Sequence, residues 1–98
     1  MAFVIRDIAS TGWKVHARVT VLAPAETVIA RINPAVGVVE PVDDRSCALL
    51  TGADALETIA IYLSMLMMDF RVDGPPELVE HLRTLARRYT EAVADVPG

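Results

Sequence analysis

The chain is poor in the residues that build disulfide or metal frameworks. Its 98 residues include a single cysteine, Cys47, so no internal disulfide and no CxxC motif can form. Cys47 lies within an apolar stretch that predicts a strand, and we expect it to be a small core residue. Nothing in this cysteine usage indicates an oxidising compartment, so the expected location is cytoplasmic.

Basic residues and long apolar runs are also scarce. Lys and Arg total 9 against 13 Asp and Glu, and the net charge of −4 argues against a free-standing nucleic-acid binder. The longest charge-free apolar run, residues 58–68, has about 11 residues where a membrane span needs roughly 20. Residues 1–6 lack the basic segment and long apolar core of a signal peptide. We therefore expect no membrane partner.

The residues that several enzymes and binding domains require at their functional sites are missing too. Residues 14–21 and 46–51, which predict the first and third strands, contain no aromatic residue on which an RNA-recognition domain could stack bases. The loop at residues 22–25 lacks the arginine that acylphosphatases need after the first strand. His16 and His81 are expected on a polar strand face and an exposed helix face, away from any nucleophile. No cluster has zinc-ligand spacing, so we expect no catalytic residue, no metal and no cofactor.

What the sequence does contain is a succession of strand and helix patterns separated by Pro, Gly or Asp. Residues 14–21 alternate polar and apolar side chains, which is typical of a half-buried strand. The elements predicted after it are a short helix ending at Asn33-Pro34, strands 36–42 and 46–51 joined at Asp43-Asp44, a helix after Asp54, strand 69–73, and a helix after Gly74-Pro75-Pro76. This order predicts an α+β fold: a ferredoxin-like βαββαβ sandwich, with helices on one face of an antiparallel four-stranded sheet, plus a C-terminal helix.

Each predicted helix carries an apolar stripe at i, i+3, i+4 spacing that should face the sheet. The stripes are Val28, Ile29 and Ile32; then Leu56, Ile59, Ala60, Leu63 and Met67; then Leu78, Leu82, Leu85 and Tyr89. The second helix has further apolar residues on its other side, Ile61, Met65 and Met68, and one sheet cannot bury both sides. We predict that these three residues form an interface. The alternative is that the last helix covers Ile61 and Met65 within the monomer.

Four basic residues are candidate ligand-binding residues. With the fourth strand beside the first, Lys14, His16 and Arg18 share the uncovered sheet face with Arg71. Same-face residues lie about 7 Å apart along a strand, so these cations could follow the phosphates of a nucleotide or a single-stranded nucleic acid. A solvated sheet face is the alternative, and the last helix could also lie across it, because the sequence does not place that helix.

Three stretches carry a resemblance to a known family: HARVTVLAPAETVIARI, VVEPVDDRSCALLTGADALETIAIYL and DFRVDGPPELVEHLRTLARRYTEA. The chain resembles, over roughly residues 4–94, the C-terminal extension (WCX) domain of WYL-domain regulators, which are DeoR-type helix-turn-helix bacterial transcription factors. In that family a winged helix-turn-helix binds DNA, a central WYL domain senses a ligand, and the extension follows. The resemblance implies that residues 1–13 are a linker remnant and that residues 14–95 form the extension domain.

The resemblance implies a non-catalytic regulatory module. Relative to that family, the chain lacks the helix-turn-helix and WYL domains, and DNA would be contacted only through the missing helix-turn-helix domain. Ile61-Tyr62-Leu63 is not the WYL tripeptide, because it lies mid-helix here and the tripeptide belongs to the other domain. The predicted interface would then form a homodimer or meet the missing WYL domain, and the four basic residues would bind a nucleotide or single-stranded nucleic acid effector. An ACT-like small-molecule sensor domain is the alternative, although the glycine that such sensors often have after the first strand is absent.

Overall fold

The computed structural model describes residues 13–95, which form an antiparallel sheet with helices packed on it. The elements in chain order are β1 (Val15–Val21), α1 (Ala25–Ile29), β2 (Gly37–Pro41), β3 (Cys47–Ala53), α2 (Leu56–Leu66), β4 (Phe70–Gly74) and α3 (Pro76–Ala92). The strand order β2-β3-β1-β4 is consistent with the ferredoxin-like arrangement, so the predicted fold class is confirmed. Residues 1–12 of the predicted linker lie outside the described residues.

Strand β1 occupies an inner position and sets the two faces of the sheet. It pairs with β3 on one side and β4 on the other, and directly opposed residues share a face. Val19 therefore lies beside Leu49 and Val72 on the helix-covered face. Strand β3 extends two residues past its predicted end, because Gly52 pairs with His16 instead of starting the loop before α2.

The core lies between the covered face and the helices. Val19, Leu49 and Leu63 are at most 2% exposed, and Leu78 from the start of α3 joins the same cluster. Burying an aliphatic side chain of this size stabilises the fold by about 1.5–3 kcal/mol. Cys47 is also fully buried, as expected of a core residue, and burial raises the pKa of its thiol.

Asp43 organises the turn between β2 and β3. Its Oδ1 accepts hydrogen bonds from the Arg45 backbone N–H at 2.7 Å and from the Ser46 hydroxyl at 3.0 Å. These donors favour the charged carboxylate and hold the pKa of Asp43 below its ordinary value. The turn predicted at Asp43-Asp44 is confirmed, because the Asp43 carboxylate binds backbone two residues ahead.

Two helices end earlier than their apolar patterns predict. Helix α1 ends at Ile29, which is 57% exposed, so only Val28 of its predicted stripe is fully buried. Helix α2 ends at Leu66, because Met67 adopts a left-handed backbone conformation with φ 57°. Leu66 is therefore buried in the core, and Met67 is 76% exposed rather than part of the predicted stripe.

Helix α3 takes the position that the sequence left open. It packs against α2 and β4 on the covered side of the sheet, and it does not lie across the open face. Leu78 is fully buried and Leu82 is partly buried, whereas Tyr89 is 66% exposed although its stripe predicted a buried position. The C-terminal part of this stripe therefore lies at the surface and not in the core.

The orientation of α2 predicts different effects for two neighbouring substitutions. Leu63→Ala removes a side chain that is 2% exposed and should lower the free energy of unfolding by about 2–5 kcal/mol. Ile61→Ala removes one that is 58% exposed and should change it by less than about 1 kcal/mol. Urea unfolding followed by circular dichroism measures both values. Equal losses would mean that α2 does not bury the side described.

Candidate functional site

The open face of the sheet carries the four predicted basic residues. Lys14, His16 and Arg18 are exposed at alternate positions along the first strand region. Arg71 joins them from β4, where it is the cross-strand partner of Thr20. The structure therefore places all four on one face, as the predicted strand order required. That they bind a ligand stays a prediction.

Asp73 lies among these cations, and the candidate set did not include it. The register between β1 and β4 shifts next to Arg18, and Asp73 accepts a hydrogen bond from the Thr20 hydroxyl at 2.7 Å. Its carboxylate lies 3.7 Å from Arg18 Nε, with the two side chains 40% and 49% exposed, so the ion pair contributes at most about 1 kcal/mol. Arg18 is partly neutralised in this way. Arg71 forms no ion pair within residues 13–95.

Trp13 adds an aromatic ring to the open face. The ring lies directly against Gly52, since a Cβ placed on that glycine would be 2.5 Å from Trp13 Cε3. The centroids of the Trp13 and His16 rings are 6.1 Å apart, with the planes tilted by 57°. Sequence reasoning assigned Trp13 to the linker and missed it. Glycine inside a strand often marks the close approach of another group, but the predicted strand ended at residue 51, so Gly52 gave no such signal.

A second exposed surface lies between α2 and α3. A cleft of about 600 Å³ separates the two helices. Four exposed apolar side chains line it, and we call them the α2–α3 patch: Ile61, Met65, Met67 and Tyr89. Helix α3 lies beside Ile61 and Met65 without covering them, since they remain 58% and 65% exposed. The alternative in which the last helix buries both residues is therefore wrong. Apolar surface exposed in this way is typical of an interface.

Met68 does not belong to this patch. It is partly buried and packs against the core, whereas Met67 points to solvent. Met67 is exposed and Met68 packs on the core, the reverse of the prediction, because α2 ends before them. The left-handed residue at position 67 breaks the helical spacing that placed Met68 beside Ile61 and Met65. The prediction that Met68 lies beside Ile61 and Met65 is therefore wrong, and the interface role of Ile61 and Met65 stays a prediction.

His81 lines the same cleft, together with Glu57 and Arg88. Its Nε2 atom is buried and has no hydrogen-bond partner in the described part of the chain, so the predicted position on an exposed helix face is wrong for this ring. A buried polar atom without a partner costs free energy. The contact between α2 and α3 is therefore less favourable than it would be if this nitrogen had a hydrogen-bond partner.

The described residues form neither a metal-binding cluster nor a membrane-spanning helix. Between positions 13 and 95, no three His, Cys, Asp or Glu side chains gather as they would around a metal ion. No helix of that region combines the length and the apolar character needed to cross a bilayer. The exposed features that remain are the mixed basic and aromatic open face and the α2–α3 patch.

The contact between Trp13 and Gly52 predicts a specific effect of adding one methyl group. In Gly52→Ala the new Cβ meets both the Trp13 ring and the Val15 carbonyl oxygen, at 2.5 and 2.6 Å, so Trp13 should be displaced and the domain destabilised. Trp13 is the only tryptophan, so a shift of its fluorescence maximum to longer wavelength reports the displacement. Gly74→Ala is the control, because its Cβ meets nothing within 4 Å. Identical spectra for the two variants would contradict the described position of Trp13.

A family model described as the WCX domain matches residues 11–90 of the chain. The matched segment contains β1 to β4, α1, α2 and all but the last two residues of α3, so it includes the open face and the α2–α3 patch. No solved structure matches the chain.

Proposed function

Because the chain belongs to the WCX-domain family, a family of regulatory domains, we propose that it is the C-terminal regulatory domain of a WYL-type transcriptional regulator. In this role the domain is non-catalytic, and it binds other parts of the regulator. DNA binding belongs to the helix-turn-helix domain of the parent protein. The family match carries the assignment to this type of regulator. The observation that carries the binding role is the α2–α3 patch, an apolar surface left exposed by a domain whose core is otherwise well buried.

The α2–α3 patch suits a contact with folded protein. Met65 and Met67 have flexible, polarisable side chains that adapt to a partner surface, and Tyr89 supplies a ring with a polar end. The lining of the cleft also includes Glu57 and Arg88, which can form polar contacts at its margins. We assign to this patch a contact with the WYL domain of the parent chain or with a second subunit.

Met65→Lys tests this assignment. A lysine in the middle of the patch should weaken the contact because burying its charge without a partner is costly. Ile29→Lys is the matched control, since Ile29 is 57% exposed on α1 and lies outside the patch. Light scattering measures the mass of the domain across concentration, and isothermal titration measures binding of the parent's WYL domain. If Met65→Lys lowers the mass seen by light scattering, the patch binds a second subunit; if it weakens the titration, the patch binds the WYL domain. Met65→Lys and Ile29→Lys variants that behave alike in both assays would refute the assignment.

The open face suits an anionic effector that has aromatic bases. Trp13 offers a ring on which a base can stack, and Lys14 and Arg18 are exposed nearby at strand spacing. We assign a nucleotide or single-stranded nucleic acid to this face. Such an effector regulates only if it binds one arrangement of the parent protein more tightly than another, so it must also contact the neighbouring WYL domain.

Tryptophan fluorescence tests the effector assignment. Adding a short single-stranded oligonucleotide should quench the emission of Trp13, and Arg18→Ala or Arg71→Ala should weaken binding because each removes a phosphate contact. Added salt should weaken binding further, since bound phosphates release counterions. Arg31→Ala is the control, because Arg31 is exposed two residues after α1 and lies beside α2, away from the open face. Equal affinity for all three variants would contradict a basic-face site.

A further inference from the structure

Strand β4 is an edge strand whose outward backbone groups have no partner in the described residues. The Leu22 N–H donates to the Asp69 carbonyl at 2.9 Å, so the backbone of Asp69 faces β1. Because inward and outward groups alternate along an antiparallel strand, Arg71 also faces β1, and Phe70 and Val72 direct their N–H and C=O groups to the free edge. Within residues 13–95, β4 pairs with β1 alone.

The opposite edge of the sheet is less suited to pairing. The Val42 N–H donates to the Ser46 carbonyl at 3.1 Å, so by the same alternation Pro41 and Val39 of β2 face outward. Pro41 has no N–H to offer, and proline on an edge is a common protection against strand addition. Strand β4 contains no proline between Phe70 and Gly74.

An apolar groove runs beside the free edge of β4. It has a volume of about 380 Å³ and lies between the strand and α3. Phe70 and Val72 line one side, and Val79, Leu82 and Ala86 line the other. A strand added to β4 would form backbone hydrogen bonds with its edge and could place every second side chain over this groove.

The charges on β4 identify a partner for that edge. We propose that a second copy of this chain pairs with β4 in antiparallel orientation across a two-fold axis at Val72, joining the two sheets edge to edge. In this register the two Val72 residues exchange the outward backbone hydrogen bonds. Arg71 of each copy lies opposite Asp73 of the partner subunit, so the pair of ionic contacts is symmetric. A register centred one residue earlier would place Arg71 opposite Arg71 of the partner subunit, which is unfavourable.

The side chains involved are free to form these contacts. Arg71 is exposed and has no ion pair in the described part of the chain. The Asp73 carboxylate is 40% exposed and holds Arg18 only at 3.7 Å, so its oxygens retain capacity for a second cation. Both residues lie on the open face, and the pairing therefore sets the open faces of the two copies side by side.

This inference deepens the proposed function, because it assigns the homodimer to the β4 edge and leaves the α2–α3 patch for the WYL domain. The experiments test the β4 dimer and the contact between the α2–α3 patch and the WYL domain separately. Met65→Lys should leave the β4 dimer intact while weakening the contact with the WYL domain, and a dimer lost in Met65→Lys would overturn the β4 assignment.

Charge reversal with complementation tests the β4 dimer. Light scattering of the whole chain should show a mass that rises to that of a dimer with concentration. Arg71→Asp alone and Asp73→Arg alone should each weaken dimerisation by at least about tenfold, because each places like charges opposite one another. An equimolar mixture of the two variants should regain the dimer mass, since every aspartate then faces an arginine. Arg31→Asp is the control with the same change of charge at a distant site, and it should dimerise normally.

Hydrogen exchange of the unmodified chain gives a readout that needs no variant. The Val72 amide, which faces the free edge, should become protected as concentration rises, whereas the Arg71 amide is protected by β1 at every concentration. The proposal is overturned if the unmodified chain stays monomeric, or if its dimer is unaffected by Arg71→Asp. It is equally overturned if the mixture of the two variants stays monomeric, or if the Val72 amide exchanges at the same rate at all concentrations.

Discussion

The alternation of side chains along β1 is the constraint on which both the fold and the candidate functional face depend. Val19 and its odd-numbered neighbours point into the core, and the residues between them, including His16 and Arg18, point to the open face. Because β1 is paired on both sides, a slip of one residue would expose the core side chains and bury the cations. The hydrophobic core thus fixes the position of a polar surface to which it contributes no atom.

The features that could be predicted from the sequence are those set by local periodicity. The face that Arg18 and Arg71 share followed from a period of two and a strand order, and the turn at Asp43 followed from the chemistry of its own side chain. Other features depend on single backbone conformations or on distant contacts. The left-handed residue Met67 exchanged the predicted positions of two methionines, and nothing in the period of α2 indicates it. The position of Trp13 depends on Gly52, which is 39 positions later in the chain and becomes its neighbour only after β1 and β3 pair.

The chain is acidic overall, and its open face is only moderately basic. Asp73 accepts a hydrogen bond from Thr20 and holds Arg18 within ion-pair distance, so part of the positive charge is neutralised before any ligand arrives. With a net charge of −4, the chain as a whole repels polyanions at long range. Recognition of an anion at this face would therefore depend on close contacts, including stacking on Trp13, more than on electrostatic attraction from a distance.

The two exposed surfaces lie on opposite sides of the sheet, and this separation limits how one could affect the other. The α2–α3 patch belongs to the helical layer, and the open face belongs to the uncovered side of the strands. Strand β4 touches both layers, because Val72 packs toward the core while Arg71 and Asp73 lie on the open face. A change at the β4 edge would therefore act on the core through Val72 and on the basic face through Arg71 at the same time. Because α3 packs on β4, that strand is one route that joins the helical layer to the open face.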